Sequence, residues 1–205
     1  MKSLYKDLVK SEQDQKVPTI IAYNRVDGPG SSLDLREFQQ SLWRLHEIPE
    51  NYQGDETATW SENFPRTVGI TINTGTRIEA LPLKNKNIGI YSLDYNKRVV
   101  GKPGSIPPIK ENWLLKTIEL FGIDGVLFKT ENLKQNTLSS GLGGSATVCT
   151  GVCILANELA GKPFNNNQLI SIASRMEQDL QISITGTQEQ SNVVYGGVTD
   201  YVWFP

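Results

Sequence analysis

Ser139-Ser140-Gly141-Leu142-Gly143-Gly144-Ser145-Ala146-Thr147 most narrows what this chain can fold into. Glycines let a backbone approach a ligand closely and take positive φ. The segment runs straight into Ala146–Ala160, where Val148, Val152, Leu155 and Leu159 share one helical stripe. Unpaired N–H groups at a helix N-terminus, with the helix dipole, form an anion site. Ser140, Ser145 and Thr147 add hydroxyls for phosphate oxygens or a metal. No lysine lies in the loop, so it is not a G-x-x-x-x-G-K-[ST] loop, and no first strand with G-x-G-x-x-G precedes it. On residues alone two readings stay open: a phosphate cradle, or a Gly/Ser-rich cap that binds nothing.

The rest of the chain predicts an α+β fold, a mixed β-sheet covered by helices. A polar lead-in over 1–16 precedes a β-branched strand over 18–23, and Leu35, Phe38, Leu42 and Leu45 predict a helix over 33–46. Residues 49–64 read as a loop. Alternation then predicts strands over 66–73, 76–83 and 87–93, with turns at Gly75 and Asn85-Lys86-Asn87. The Gly/Pro content of 97–108 predicts an irregular connection. A helix over 109–121 ended by Gly122, a strand over 125–130 and a helix over 167–180 follow. Residues 184–205 read as a loop, a Gly196-Gly197 turn and an aromatic strand holding Tyr201, Trp203 and Phe204.

Composition excludes several classes. With 20 Lys plus Arg against 22 Asp plus Glu, the net charge of −2 excludes a basic nucleic-acid footprint. No apolar run is long enough for a membrane span, and MKSLYKDLVKSEQDQK has no apolar signal core. The two thiols, Cys149 and Cys153, fit packing in a helix better than nucleophilic chemistry, and free thiols fit a cytoplasmic location. The one histidine, His46, excludes a His-rich zinc site and is assigned to a helix surface.

Four segments, in order, carry a family resemblance. SSGLGGSAT resembles the second signature of the GHMP small-molecule kinases, P-x-x-S-G-L-G-S-S-A, without the leading Pro and with Gly144 at the first Ser of the pair. Asn24-Arg25-Val26-Asp27 through Asp34 resembles the first signature. Thr185-Gly186-Thr187-Gln188-Glu189-Gln190 followed by Tyr195-Gly196-Gly197 resembles G-x-Q-D-Q…(F/Y)-G-G of the sugar-kinase branch, with Glu189 in place of Asp. Glu177 precedes Glu189 at the interval the family keeps between its metal-binding Glu and its catalytic Asp. Tyr91-Ser92-Leu93-Asp94-Tyr95 is similar to the heptose-phosphate kinase and fucokinase branch.

The resemblance implies an ATP-dependent sugar or sugar-phosphate kinase with Mg²⁺. Ser140, Gly141, Leu142, Gly143, Gly144, Ser145 and Ala146 would hold nucleotide phosphates, and Ser145 and Glu177 the metal. Glu189 and Arg25 would be catalytic, while Asp34, Gly196 and Gly197 would face the sugar. Read without the resemblance, Arg25 is a surface or ion-pair residue at a strand end, Asp34 a helix N-cap or first-turn carboxylate, and Glu177 an exposed helix glutamate. Members of the family also carry a C-terminal domain with a third glycine-rich signature. Nothing after Gly197 resembles it, so residues 1–205 are expected to form the N-terminal domain alone. The edge facing a missing domain is expected to be apolar and open to self-association. The implied partners are ATP and a small-molecule sugar, with no nucleic acid and no membrane. The alternatives are a non-catalytic domain binding sugar or nucleotide, and a mevalonate- or homoserine-type kinase of the same family.

Overall fold

A computed structural model of the chain describes residues 17–28, 66–134 and 142–202. The elements in order are β1 (Thr19–Asp27), β2 (Arg66–Pro82), β3 (Ile88–Ser92), β4 (Lys97–Gly101), α1 (Trp113–Glu119), β5 (Val126–Asn132), α2 (Gly144–Leu159), α3 (Asn166–Asp179), α4 (Gln188–Tyr195) and β6 (Val198–Val202). The strands form one six-stranded sheet in the order β1-β2-β5-β3-β4, with β6 also paired to β2. The β3–β5 pair is parallel and the others are antiparallel, so the sheet is mixed. A parallel pair needs a crossover, and α1 lies between β4 and β5 to supply it.

Strand alternation sends Ile78, Ile88 and Phe128 to the face covered by helices. There they meet Leu115 and Ile118 of α1, Val152 and Leu155 of α2, and Leu169 of α3. Cys149 and Cys153 are free and wholly buried in the same core. A hydrogen bond with Cys153, and then burial, push the Cys149 thiol well above its ordinary range, which fits packing rather than nucleophilic use. The opposite face carries a smaller cluster of Leu81, Leu83 and Leu127. The expected α+β class with a helix-covered mixed sheet is what the chain adopts.

Several boundaries differ from the sequence expectation. Residues 66–73 and 76–83 form one strand, β2, with Gly75 inside it opposite Tyr23. A Cβ at Gly75 would lie 2.1 Å from the Ala22 carbonyl oxygen. The glycine therefore serves close strand approach beside the register shift between Tyr23 and Arg25, not a turn. Lys97–Gly101 is a strand rather than part of an irregular connection, because Asn96 takes a left-handed φ of 46° and closes a hairpin onto β3. The β1 strand runs on to Asp27. The stretch read as a loop after residue 184 contains α4, whose buried side chains are Gln188, Gln190 and Asn192. The lead-in over 1–16, the helix expected over 33–46 with His46, the loop over 49–64, and Trp203 and Phe204 lie outside the described residues.

The helix that follows the glycine loop sits very close to the sheet. A Cβ at Gly151 would fall 2.6 Å from Ile78 Cδ1 and 2.8 Å from Ala22 Cβ. Overpacking a filled core costs about 1–3 kcal/mol. Gly151→Val should therefore lower the unfolding free energy by about that amount, read by urea denaturation at fixed temperature.

Candidate functional site

Gly143 is the N-cap of α2 and holds φ 71°, ψ 30°, a left-handed conformation that suits glycine. Gly143 has no side chain with which to cap this helix end, and the first N–H groups of a helix have no partner within it. Thr147 spends its hydroxyl on the Gly143 carbonyl at 3.0 Å, closing the first turn. Leu142, Gly144 and Ser145 border a cavity of about 590 Å³ beside this helix end. Asn24, Thr76, Thr130 and Asn132 give that cavity a polar floor, and Ile90, Val99 and Trp113 an apolar wall.

Glu189, in the first turn of α4, lies against the same loop. A Cβ on Gly143 would be 3.4 Å from Glu189 Cδ. The Glu189 carboxylate accepts from Arg25 Nη2, and Arg25 Nη1 donates to Asp27. Gln188 Nε2 donates to the other Asp27 oxygen at 2.7 Å. Arg25 is 7% exposed, so its charge is met mostly by these two carboxylates and little by water. Arg25 is thus a strand-end ion-pair residue, and one of its partners is Glu189 on α4.

Glu177 projects from α3 and is wholly buried rather than exposed. Its Oε2 accepts from Gln190 Nε2 at 2.7 Å, its Oε1 from Ser183 Oγ at 3.3 Å, and Ser145 bonds to it as well. Burial lifts its carboxyl above the ordinary glutamate value, and the Glu189 charge adds to the lift. Hydrogen bonds from Ser145, Gln190 and Ser183 oppose it.

Of the residues singled out in the sequence, the fold gathers Gly143, Ser145, Glu177, Glu189 and Arg25 around the α2 N-terminus. Ala146 follows in the first turn and is buried in the helix packing. Gly196 and Gly197 stand elsewhere, with φ of 68° and 72°, at the turn from α4 into β6. Gly196 lies seven positions after Glu189, roughly 10 Å along the helix axis. Ser140, Gly141 and Asp34 lie outside the described residues. Three members of the cluster were not singled out: Asp27, Gln188 and Gln190. The signal for Asp27 was its i+2 spacing from Arg25 on one strand, which puts both side chains on the same face.

Residues 112–197 match the family model of the GHMP kinases N terminal domain. No curated protein matches the chain. Among solved structures, the mevalonate kinase of Methanococcus jannaschii is 18% identical with a TM-score of 0.62, over 92% of this chain and 54% of that one. A D-glycero-D-manno-heptose 1-phosphate kinase from Bacteriodes thetaiotaomicron is 17% identical with a TM-score of 0.63, over 90% and 55%. Lactococcus lactis galactokinase, complexed with galactose, is 14% identical with a TM-score of 0.60, over 89% and 42%. The chain spans about half the length of these structures, and what it shares with them is the fold.

The raised carboxyl of Glu177 has a consequence for stability. A group whose folded pKa is lifted gives its full contribution below its unfolded value and loses it as pH rises through the folded value. Glu177→Gln removes that titration. Measured by urea unfolding from about pH 4 to about pH 8, the variant should gain stability relative to the parent as pH increases.

Proposed function

We propose that this chain, whose residues 112–197 carry the GHMP kinase N-terminal domain, binds the phosphates of ATP at the α2 N-terminus and serves phosphoryl transfer to a sugar hydroxyl. The observation that carries this reading is the placement of the Glu189 carboxylate against Gly143, bridged to Arg25. A helix N-terminus for an anion, a carboxylate for a hydroxyl proton and a cation for developing charge are the parts that phosphoryl transfer needs.

In this reading the N–H groups at Gly143–Ala146 hold phosphate oxygens, continuing the loop begun by Ser140 and Gly141. Glu189 Oε accepts the proton of the acceptor hydroxyl as it attacks. Arg25, held in place by Asp27, stabilises the charge on the transferring group. Asp34 is assigned to the sugar, following the first-signature resemblance. Gly196 and Gly197 keep a substrate role only through the turn they shape.

The residues present fit a magnesium ion. Ser145 and Glu177 offer hard oxygen donors side by side, and Glu177 is a fully buried carboxylate whose hydrogen-bond partners are the neutral groups of Gln190, Ser183 and Ser145. The described residues hold no cluster of three or more His, Cys, Asp or Glu suited to a metal. Magnesium is commonly bound by one or two protein oxygens together with phosphates and water. When bound, the ion would neutralise charge on the phosphates.

A second reading is a domain that binds sugar or nucleotide without turnover. The ion pair that engages the Glu189 carboxylate favours it.

Calorimetric titration with Mg-ATP and with a panel of free and phosphorylated sugars tests the proposal. Heat from nucleotide and from one sugar class supports it, and heat from neither overturns it. Gly143→Val forces a β-branched residue into a left-handed φ and its side chain toward Glu189. It should weaken Mg-ATP binding about tenfold or more, measured below the unfolding transition of both proteins. Where transfer is assayed, Glu189→Gln should retain nucleotide affinity and lower turnover by about a hundredfold or more.

A further inference from the structure

The first turn of α4 meets β1 through two consecutive side chains. Gln188 Nε2 donates to Asp27 Oδ1 at 2.7 Å, and the next residue, Glu189, accepts from Arg25 Nη2. Arg25 Nη1 donates to Asp27 Oδ2, which closes the circuit on the strand side. Gln188 is wholly buried, and its carbonyl oxygen accepts from Tyr201 Oη at 3.3 Å and from Asn192 Nδ2 at 3.2 Å. Its backbone is therefore tied down along with its side chain.

The circuit shares one guanidinium between two carboxylates. An arginine and a carboxylate frequently pair through two parallel N–H···O bonds. Here Asp27 divides its oxygens instead, giving Oδ2 to Arg25 Nη1 and Oδ1 to Gln188 Nε2. Turning Oδ1 onto Nη2 would bring a second negative charge to the nitrogen that holds Glu189, and like charges so close repel. An amide N–H can hold that oxygen aside without adding a charge of its own. Gln188 has that chemistry, and its neighbour in sequence is the carboxylate that gains from it.

We propose that Gln188 is a positioning residue that restrains Asp27 to one bond on Arg25 and so keeps Nη2 for Glu189, beside Gly143. The inference rests on the reading of Glu189 and Arg25 as the groups that serve phosphoryl transfer. The sharing of Arg25 is itself a property of the folded chain and can be measured without a ligand.

The first measurement is a double-mutant cycle between Arg25→Met and Glu189→Gln, read by urea unfolding of the full chain. It is run in the parent, in Gln188→Met, which keeps the side-chain length and removes the donor, and in Gln188→Met combined with Asp27→Asn. The coupling of Arg25 to Glu189 should fall by about fivefold in the unfolding constant in Gln188→Met, and return once Asp27 is neutralised. A Gln188 that merely filled space would leave a loss that Asp27→Asn deepens. Should Gln188→Met lack a cooperative transition, Asp27→Asn alone decides, because removing the competing charge should strengthen the coupling. Unchanged coupling in Gln188→Met, or no recovery with Asp27→Asn, overturns the inference. The second measurement is phosphate transfer from Mg-ATP to the sugars of the panel above. Gln188→Met should lower kcat about tenfold with Mg-ATP affinity unchanged, and Asp27→Asn should restore most of the loss. A kcat indifferent to both substitutions overturns the positioning role even where the coupling shifts. A parent that transfers phosphate to none of the sugars removes the phosphoryl-transfer reading, and the ligand-free cycle then decides by itself whether Gln188 governs the sharing of Arg25.

Discussion

The seating of α2 on β1 and β2 sets the position of nearly everything else. Gly151 removes the side chain that would stand between helix and sheet, and Ala22 meets it from the strand. That contact fixes where α2 begins. Because α2 begins at Gly144, its first residues share a cavity with Asn24 of β1, and Glu189 joins Gly143 to Arg25. A helix half a turn out of register would aim the same groups at solvent. The small residues of α2 are therefore a condition for the site as well as for the core.

Around that helix end the structure buries charge, and it does so in two ways. Arg25 is met by two carboxylates, Asp27 and Glu189, so its burial is offset by charge. Glu177 is met by neutral donors, and its carboxyl rises in consequence. Desolvating an ion without a counter-charge is expensive, and amide and hydroxyl partners offset only part of that cost. The contrast separates a cation tied into the fold from a carboxylate still short of positive charge, with the Glu189 carboxylate contributing to both.

The legible parts of this chain are those with local causes. The glycine loop and the small-residue helix announced α2, and Asn165 with Gln168 closes a capping box at the start of α3. Gly75 was misread because a glycine that admits a neighbouring strand looks, in sequence, like a glycine that turns. The α4 helix escaped notice because its buried face is made of Gln188, Gln190 and Asn192, which carry no apolar period. Asn24 escaped for a related reason. Its partner, Thr74, lies fifty positions away, beyond the reach of any local pattern. Resemblance drew attention to Arg25, Glu177 and Glu189, but the contacts around them come from the packing of α4 on β1 and of α3 against α4.

The β2 strand runs seventeen residues, pairing with β1 along one side and with β6 and then β5 along the other. It thereby joins segments made at very different times. During synthesis Arg25 emerges first, then β2, and Glu189 only near the end, at a sequence separation of 164. Until α4 arrives, a guanidinium destined for burial has Asp27 as its only carboxylate partner among the described residues, and the Gly143 loop has not yet met Glu189. Chains rich in such distant pairings fold slowly, on the order of milliseconds to seconds. Strands β1 to β5 are therefore all synthesised before Glu189, and a polypeptide halted before α4 would carry Arg25 without one of its two counter-charges.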